Sequence, residues 1–433
     1  MLNTWRSHAV LSPAFSPPAV TDVMLVGGSA SAGADVPADR VYAPNALRIA
    51  GWPASRLANM AQGSARTLYS TLLLESLAAP LPRGVWIWEH AINDVFRCAS
   101  PAALACVLEA FLVRVAALKP ALVVLLFLWP CGSPQHMHRA RVDDRVFAAC
   151  RSLIETYATK LPLVAINVPA WLRASPPAIE SKFTVRYCHP SPYAHDMFAA
   201  IIAELLGNQS QPASVSSPAD WTASPTTSSA TPLTACANAS IGARESELVR
   251  RVAGARAILS FNAWRPSLFP AVAAGNQTPA TWLAARVTDA ASGSAPRDLP
   301  PIGDCDVRGR KDCKRSVELP DCASGALYFA LPRHTHISAL HYKSSVAANI
   351  TWTASGVEER SPTAAELHEV KDPCFATVDG GSPALQRAGV TRERWWLPDA
   401  PVPARGLRLC AQTPGAALHW LAVADAAHSR NLQ

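Results

Sequence analysis

The 433-residue chain has no apolar run long enough to cross a bilayer. Its longest, residues 121–129 (ALVVLLFLW), has nine residues with a proline at each end, whereas a membrane helix needs roughly 20. There is no tract of five or six like charges either. The 39 Lys+Arg exceed the 32 Asp+Glu by only 7, spread over the whole length, so nucleic acid is not an expected partner. No CxxC pair marks a zinc site or a redox couple. The first twenty residues carry no continuous apolar stretch of the signal-peptide kind. What is present is 49% apolar and 16% charged residues with 37 prolines. Such a composition excludes collagen, coiled coil and wholesale disorder, and the length exceeds one ordinary core, so about two domains are expected.

Cysteines and glycosylation sequons divide the chain. Cys98, Cys106, Cys131, Cys150 and Cys188 fall in the first half and read as buried free thiols. Cys236, Cys305, Cys313, Cys322, Cys374 and Cys410 fall in the second, an even set that permits disulfides. All the N-x-S/T sequons, at Asn208, Asn238, Asn276 and Asn349, lie in that half too. Together these favour an oxidising, secreted or lumenal compartment, with a cytoplasmic location the alternative that the missing signal peptide suggests. Residues 208–240 are rich in Ser, Thr, Pro and Ala with almost no bulky apolar side chain. A segment of that kind cannot bury enough surface to offset its ordering entropy, so it reads as a linker.

Residues 20–207 alternate strand and helix. The runs at 22–26 (DVMLV), 85–88 (VWIW), 121–128 (ALVVLLFL) and 163–167 (LVAIN) lack polar alternation, as strands of a parallel sheet covered on both faces do. Leu104, Val107, Leu108, Phe111, Leu112, Val115 and Leu118 make a helical stripe entered through Ser100 and Pro101. Similar stripes run over residues 142–157 and 198–206. The fold class is therefore α/β, an open parallel sheet with flanking helices in three layers, flavodoxin-like. Residues 241–428 change texture to short apolar or alternating runs between Gly, Pro, Ser and Asp clusters, 326–331 (ALYFAL) and 337–342 (ISALHY) among them, which predicts a smaller β-sandwich-like domain. Its tryptophans, with the adjacent pair Trp395-Trp396, suit either a core or stacking on sugar rings.

On open α/β sheets ligands sit beyond the carboxyl ends of the strands, and three such places carry polar residues. Gly27-Gly28-Ser29-Ala30-Ser31-Ala32-Gly33 is a glycine-flexed turn able to lift Ser29 above the sheet. Glu89-His90-Ala91-Ile92-Asn93-Asp94 follows the VWIW strand; Asn93 can donate its amide to an oxyanion or cap the next helix. His189-Pro190 stands before the last helix, where a histidine is well placed as a general base. His136 and His138 share a Pro/Gly-flanked loop with no acid or third His nearby and read as solvated. No metal or other cofactor is expected.

The order and spacing of these motifs, with Asn59-Met60-Ala61-Gln62-Gly63 between the first two, resemble the SGNH or GDSL-like serine hydrolase family. The stretches NMAQGSARTLYS and IWEHAIND are similar to a eukaryotic two-domain branch with a C-terminal β-rich domain. The resemblance implies a serine esterase acting on acyl esters, acetyl among them, on a small molecule or a glycan. It makes Ser29 the nucleophile, Asn93 the oxyanion amide and His189 the base. The Ser29 N–H, with a backbone N–H near Ala61 or Gly63, would complete the oxyanion hole.

Two departures from the family pattern carry consequences. Gly28 stands where the family usually has Asp in Gly-Asp-Ser, and Arg186 stands three residues before His189, where the family has its relay Asp. A cation there disfavours the imidazolium that forms during catalysis. Another acceptor is then needed: a main-chain carbonyl, Asp196 or, the preferred acid, Glu180. The same residues also admit a sugar O-acyltransferase, or a non-catalytic glycan- or protein-binding module that has lost its relay acid.

Overall fold

The computed structural model describes residues 2–262 except 14, 20, 62–64, 79–83, 95–99, 130–143, 186–188, 208–232 and 239–240. Beyond them it describes 287–289, 298–302, 314–323, 325–344, 350–355, 367–370, 373, 392–412 and 415–426. Gly63, Arg186, the His136/His138 loop and Cys98, Cys131, Cys188, Cys305, Cys313 and Cys374 fall outside that set. The chain forms two compact units, the first drawn mainly from residues up to Ile241 and the second mainly from Gly242 onward.

The first unit is the expected α/β layer structure. Its strands are β1 (Ala9–Leu11), β2 (Val23–Gly27), β3 (Leu57–Asn59), β4 (Val85–Glu89), β5 (Leu122–Phe127) and β6 (Leu163–Asn167), in the order β1-β6-β5-β4-β2-β3. All neighbours run parallel except β1, which pairs antiparallel with β6. Every residue of β2, β4, β5 and β6 is buried, which is why these runs show no polar alternation. Strand order reverses at β2, with β3 on one side and β4 on the other. On open sheets that reversal opens the ligand crevice at the carboxyl ends.

The helices are α1 (Ser29–Ala32), α2 (Tyr42–Ala50), α3 (Thr67–Ala78), α4 (Ala91–Asp94), α5 (Pro101–Ala117), α6 (Arg145–Ala158), α7 (Val168–Arg173), α8 (Pro177–Glu180) and α9 (Pro192–Leu206). Ser100 caps α5 by accepting from the Ala103 N–H, with Pro101 at the first position, as the sequence predicts. Ser191 caps α9 in the same way through Ala194. A short two-stranded ribbon of β7 (Thr184–Val185) and β8 (His189–Pro190) precedes α9.

Residues before 20 are part of this unit, which the sequence reading placed at 20–207. Leu2–His8 form a 3₁₀ helix. Its Trp5 is fully buried and donates its indole N–H to Glu204 at 3.0 Å.

Residues 234–238, read above as linker, form α10 (Thr234–Asn238) against α5. The Thr234 hydroxyl and the Ala235 N–H both donate to the Glu109 carboxylate, at 2.9 and 2.8 Å, and Cys106 is bonded to Cys236. The sequence reading had these two cysteines in separate sets, one free and one paired within the β domain. The correction comes from the chain returning across 130 residues to the α5 surface, a closure that spacing cannot reveal. Cys150 is free and buried.

The second unit opens with α11 (Ala243–Gly254) and continues as strands β9 (Arg256–Asn262), β10 (Val287–Asp289), β11 (Asp298–Ile302), β12 (Lys314–Glu318), β13 (Leu327–Ser344), β14 (Ile350–Ser355), β15 (Leu367–Val370), β16 (Arg392–Pro398), β17 (Val402–Ala411) and β18 (Ala417–Asp425). All pairings are antiparallel. The two runs expected at 326–331 and 337–342 are one strand, β13, which pairs with β17 and β10 at its start and with β16 and β18 at its end. The described strands therefore form one continuous hydrogen-bonded network. Cys322 and Cys410 are bonded within it. Trp395 is buried against His341, with ring centroids 4.3 Å apart, so it is core material. Among the described residues no helix is long and apolar enough to cross a membrane.

The Cys106–Cys236 bond gives a direct check of this chain path. With a protease site engineered into residues 208–232 and cut, the two fragments are expected to run as one species on a non-reducing gel and as two after reduction. In Cys106→Ser they separate without reduction; separation of the wild-type fragments without reductant would contradict the path.

Candidate active site

The turn after β2 lies at the strand-order reversal. Gly28 is the extended N-cap of α1, Ser29 is its first residue, and Gly33 at φ +81° ends it in the left-handed region that favours glycine. One turn of helix thus holds Ser29 at the carboxyl edge of the sheet, partly exposed. On the adjacent strand α4 starts immediately after β4, and Asn93 on α4 faces Gly28 so closely that a Cβ at 28 would lie 2.1 Å from Asn93 Nδ2. A side chain at 28 would have to displace the Asn93 amide, so glycine suits this position.

The Asn93 amide is fixed from behind. Its Nδ2 donates to the Ala65 carbonyl at 2.9 Å, and the His90 ring approaches the same carbonyl through Nδ1 at 3.1 Å. His90 Nε2 meets the Ser70 hydroxyl at 2.8 Å. The Trp88 indole N–H donates to Thr67 Oγ1, and the Thr67 hydroxyl donates in turn to Asp94 Oδ2, at 2.9 and 2.5 Å. These bonds tie the start of α3 to α4 and leave little freedom to the amide that faces Gly28.

The structure brings His189 to Ser29: Ser29 Oγ and His189 Nε2 are 2.9 Å apart. His189 Nδ1 is 2.7 Å from Asp35 Oδ2, with the imidazole and carboxylate side chains 25% and 21% exposed. Asp35, six residues after Ser29, has φ +62°, a conformation that Asp and Asn tolerate better than most residues. With Nδ1 donating to this carboxylate, the neutral ring keeps the Nε2 lone pair for the Ser29 hydroxyl.

Asp35 is a residue the sequence reading did not single out, and it takes the place at Nδ1 for which Glu180 was preferred. Glu180 closes α8, and its side chain lies outside the described set. Asp196, the other acid considered, pairs with Arg40. The Ala61 N–H, expected to face the oxyanion, donates instead to the Asn59 side chain at 3.0 Å. His195, in the first turn of α9, is fully buried, and its Nδ1 accepts the Tyr42 N–H at 3.1 Å. The sequence signal for Asp35 is an acid in the loop leaving the Ser29 turn, 154 positions from His189.

Burial keeps both supporting histidines neutral. Desolvation lowers His90 to about 3 and His195 to about 4. Among the described residues no group of three His, Cys, Asp or Glu is arranged to hold a metal ion.

No family model matches the chain, and no curated protein matches it. Solved structures do resemble it. A two-domain esterase (CEX) active on acetylated mannans aligns over 94% of this chain and 91% of its own, at 13% identity and a TM-score of 0.46. TesA aligns over 43% of this chain and 98% of its own, at 19% identity and a TM-score of 0.34. The lipase/acylhydrolase from Enterococcus faecalis aligns over 43% and 94%, at 17% identity and a TM-score of 0.33.

The neutral histidines give a pH prediction. Unfolded, each binds a proton near pH 6.5; folded, each resists until about pH 3 or 4. The stability they contribute is present above pH 6.5 and lost as the pH falls toward 4. Thermal midpoints are expected to drop over that window, and less steeply in His195→Asn, whose amide oxygen can still accept from the Tyr42 N–H. Parallel curves would contradict the assignment for His195.

Proposed function

We propose that the chain is a serine hydrolase of carboxylic esters, of the SGNH type, with Ser29 as nucleophile, His189 as general base and Asp35 as the acid that orients the base. The observation that carries this reading is the chain of contacts Ser29 Oγ to His189 Nε2, 2.9 Å, and His189 Nδ1 to Asp35 Oδ2, 2.7 Å. The roles follow from the chemistry of the three groups. His189 takes the Ser29 proton as Oγ bonds to the acyl carbon, and the Asp35 carboxylate stabilises the imidazolium that results. The imidazolium returns the proton to the departing alkoxide, leaving an acyl-serine. Water attacks that ester with His189 again as base, and the imidazolium returns the proton to Ser29 Oγ as the bond to the acyl carbon breaks and the carboxylic acid leaves.

The negative oxygen of each tetrahedral intermediate needs donors on the Gly28 side of Ser29. The Ser29 N–H and the Asn93 amide supply them in this reading: one Nδ2 proton is spent on Ala65 and the other is left for the substrate. Ala61 is withdrawn from that set by its bond to Asn59. Arg186 had favoured a non-catalytic module because it left the base without an acid. A carboxylate at Nδ1 removes that reason and supports the hydrolase. The bonds Cys106–Cys236 and Cys322–Cys410 support a secreted or lumenal setting.

Hydrolysis of p-nitrophenyl acetate tests the reading. Ser29→Ala and His189→Ala are expected to abolish turnover. Asp35→Asn, which suits the positive φ and removes only the charge, is expected to lower kcat toward the roughly 10⁴-fold seen when such an acid is neutralised. Asn93→Ala is expected to cost about 10²–10³-fold in kcat. Turnover unchanged in Ser29→Ala would overturn the assignment, and turnover unchanged in Asp35→Asn would remove Asp35 from it.

A further inference from the structure

Glu89 ends β4 and is wholly buried beside the turn that carries Ser29. It pairs in register with Gly27, and its carbonyl accepts the Gly28 N–H at 2.9 Å. Its carboxyl Oε2 accepts the Ser31 hydroxyl at 2.9 Å, and that hydroxyl also meets the Tyr42 phenol at 2.7 Å. Its Oε1 has no hydrogen-bond partner among the described residues. The Ser31 side chain lies over Gly27 so tightly that a Cβ at 27 would be 2.3 Å from Ser31 Oγ. Carboxyl, hydroxyl and phenol therefore form a buried line against the residues on either side of Ser29, and the mechanism above uses none of them.

We propose that Glu89 is a positioning residue for Ser29: it braces the nucleophile turn as an uncharged carboxylic acid, and the site loses activity when that acid gives up its proton. The proposal rests on the hydrolase reading. A carboxylate in this place would be fully desolvated with one side-chain donor and one unpaired oxygen, a costly arrangement, whereas the neutral acid carries little such penalty. Desolvation raises Glu89 to about 8, against the Ser31 hydroxyl and the Gly28 and Ser31 backbone N–H groups, which favour the charged form; Asp94 on α4 pushes it up further. Tyr42 on α2 is held protonated by its own burial and by Glu89. His90, the next residue, is neutral and turned toward Ser70 and Ala65. None of the groups shifting Glu89 is a cation. Ionised, it would set a negative charge in low dielectric next to the turn on which the oxyanion develops, and so oppose the reaction.

The test is kcat on p-nitrophenyl acetate from pH 6 to 9.5, using the full chain. Wild type is expected to fall above about pH 8, approaching tenfold per pH unit. In Glu89→Gln, similar in shape and never charged, that fall is expected to vanish whatever the plateau value. In Ser31→Ala, which loses a donor favouring the charged form, it should move to higher pH. A fall at the same pH in all three overturns the proposal.

The proton is also read without substrate. Glu89 unfolded titrates near pH 4.3 and folded near 8. The folded chain thus holds an extra proton on Glu89 between those values, and the stability that Glu89 contributes is lost across them as the pH rises. The thermal midpoint of Glu89→Gln relative to wild type should therefore climb from pH 4.5 to 8; a constant difference overturns the proposal by itself. If the difference climbs but wild type hydrolyses no ester at any pH, the hydrolase reading falls, and the positioning role with it.

Discussion

The site depends on how closely two strand ends approach each other. At the reversal of strand order, the end of β2 and the end of β4 are in contact, and both contacts exclude even a methyl group: Gly28 against the Asn93 amide, and Gly27 against the Glu89 carbonyl as well as the Ser31 side chain of its own turn. That closeness sets the turn that carries Ser29 beside the amide proposed to serve it, and the Glu89 carboxyl lies wholly buried beside the same turn. A sheet with either glycine replaced would have to part these turns or displace the side chains between them.

The second constraint is the absence of solvent around β4. The strand is buried along its whole length, so each polar group at its end must be paired or neutral. His90 meets Ser70 and Ala65; Asp94 accepts from Thr67, which accepts from Trp88. His189 and Asp35 differ in keeping partial exposure, as the proposed base needs in order to reach substrate and water. Rigid, paired support inside and a partly exposed His–Asp pair at the rim are two outcomes of one gradient in solvation.

Much of this was legible in the sequence because the responsible physics is local. Unbroken apolar runs identified β2, β4, β5 and β6; Ser100-Pro101 marked a helix start; and polar residues at strand ends pointed to Ser29, Asn93 and His189. The illegible parts depend on distant residues meeting. Asp35 meets a ring 154 positions away, and Cys106 finds Cys236 across 130. Nothing in the local pattern around His189 or in the cysteine spacing encodes either meeting. At Ala61 the reason is local: Asn59, two residues before, accepts its N–H, as Asn side chains do in turns. The merger of two predicted runs into β13 reflects a strand that changes partners along its length and so needs no turn where the pattern is interrupted.

The central claim is that Ser29 is made nucleophilic by His189 and Asp35. The most direct measurement is covalent: the chain is treated with a fluorophosphonate, digested, and the modified residue located and timed by mass spectrometry. The account predicts a single adduct on Ser29, formed far more slowly when Asp35 is replaced by Asn. No adduct, an adduct on another residue, or labelling that ignores Asp35 would contradict it.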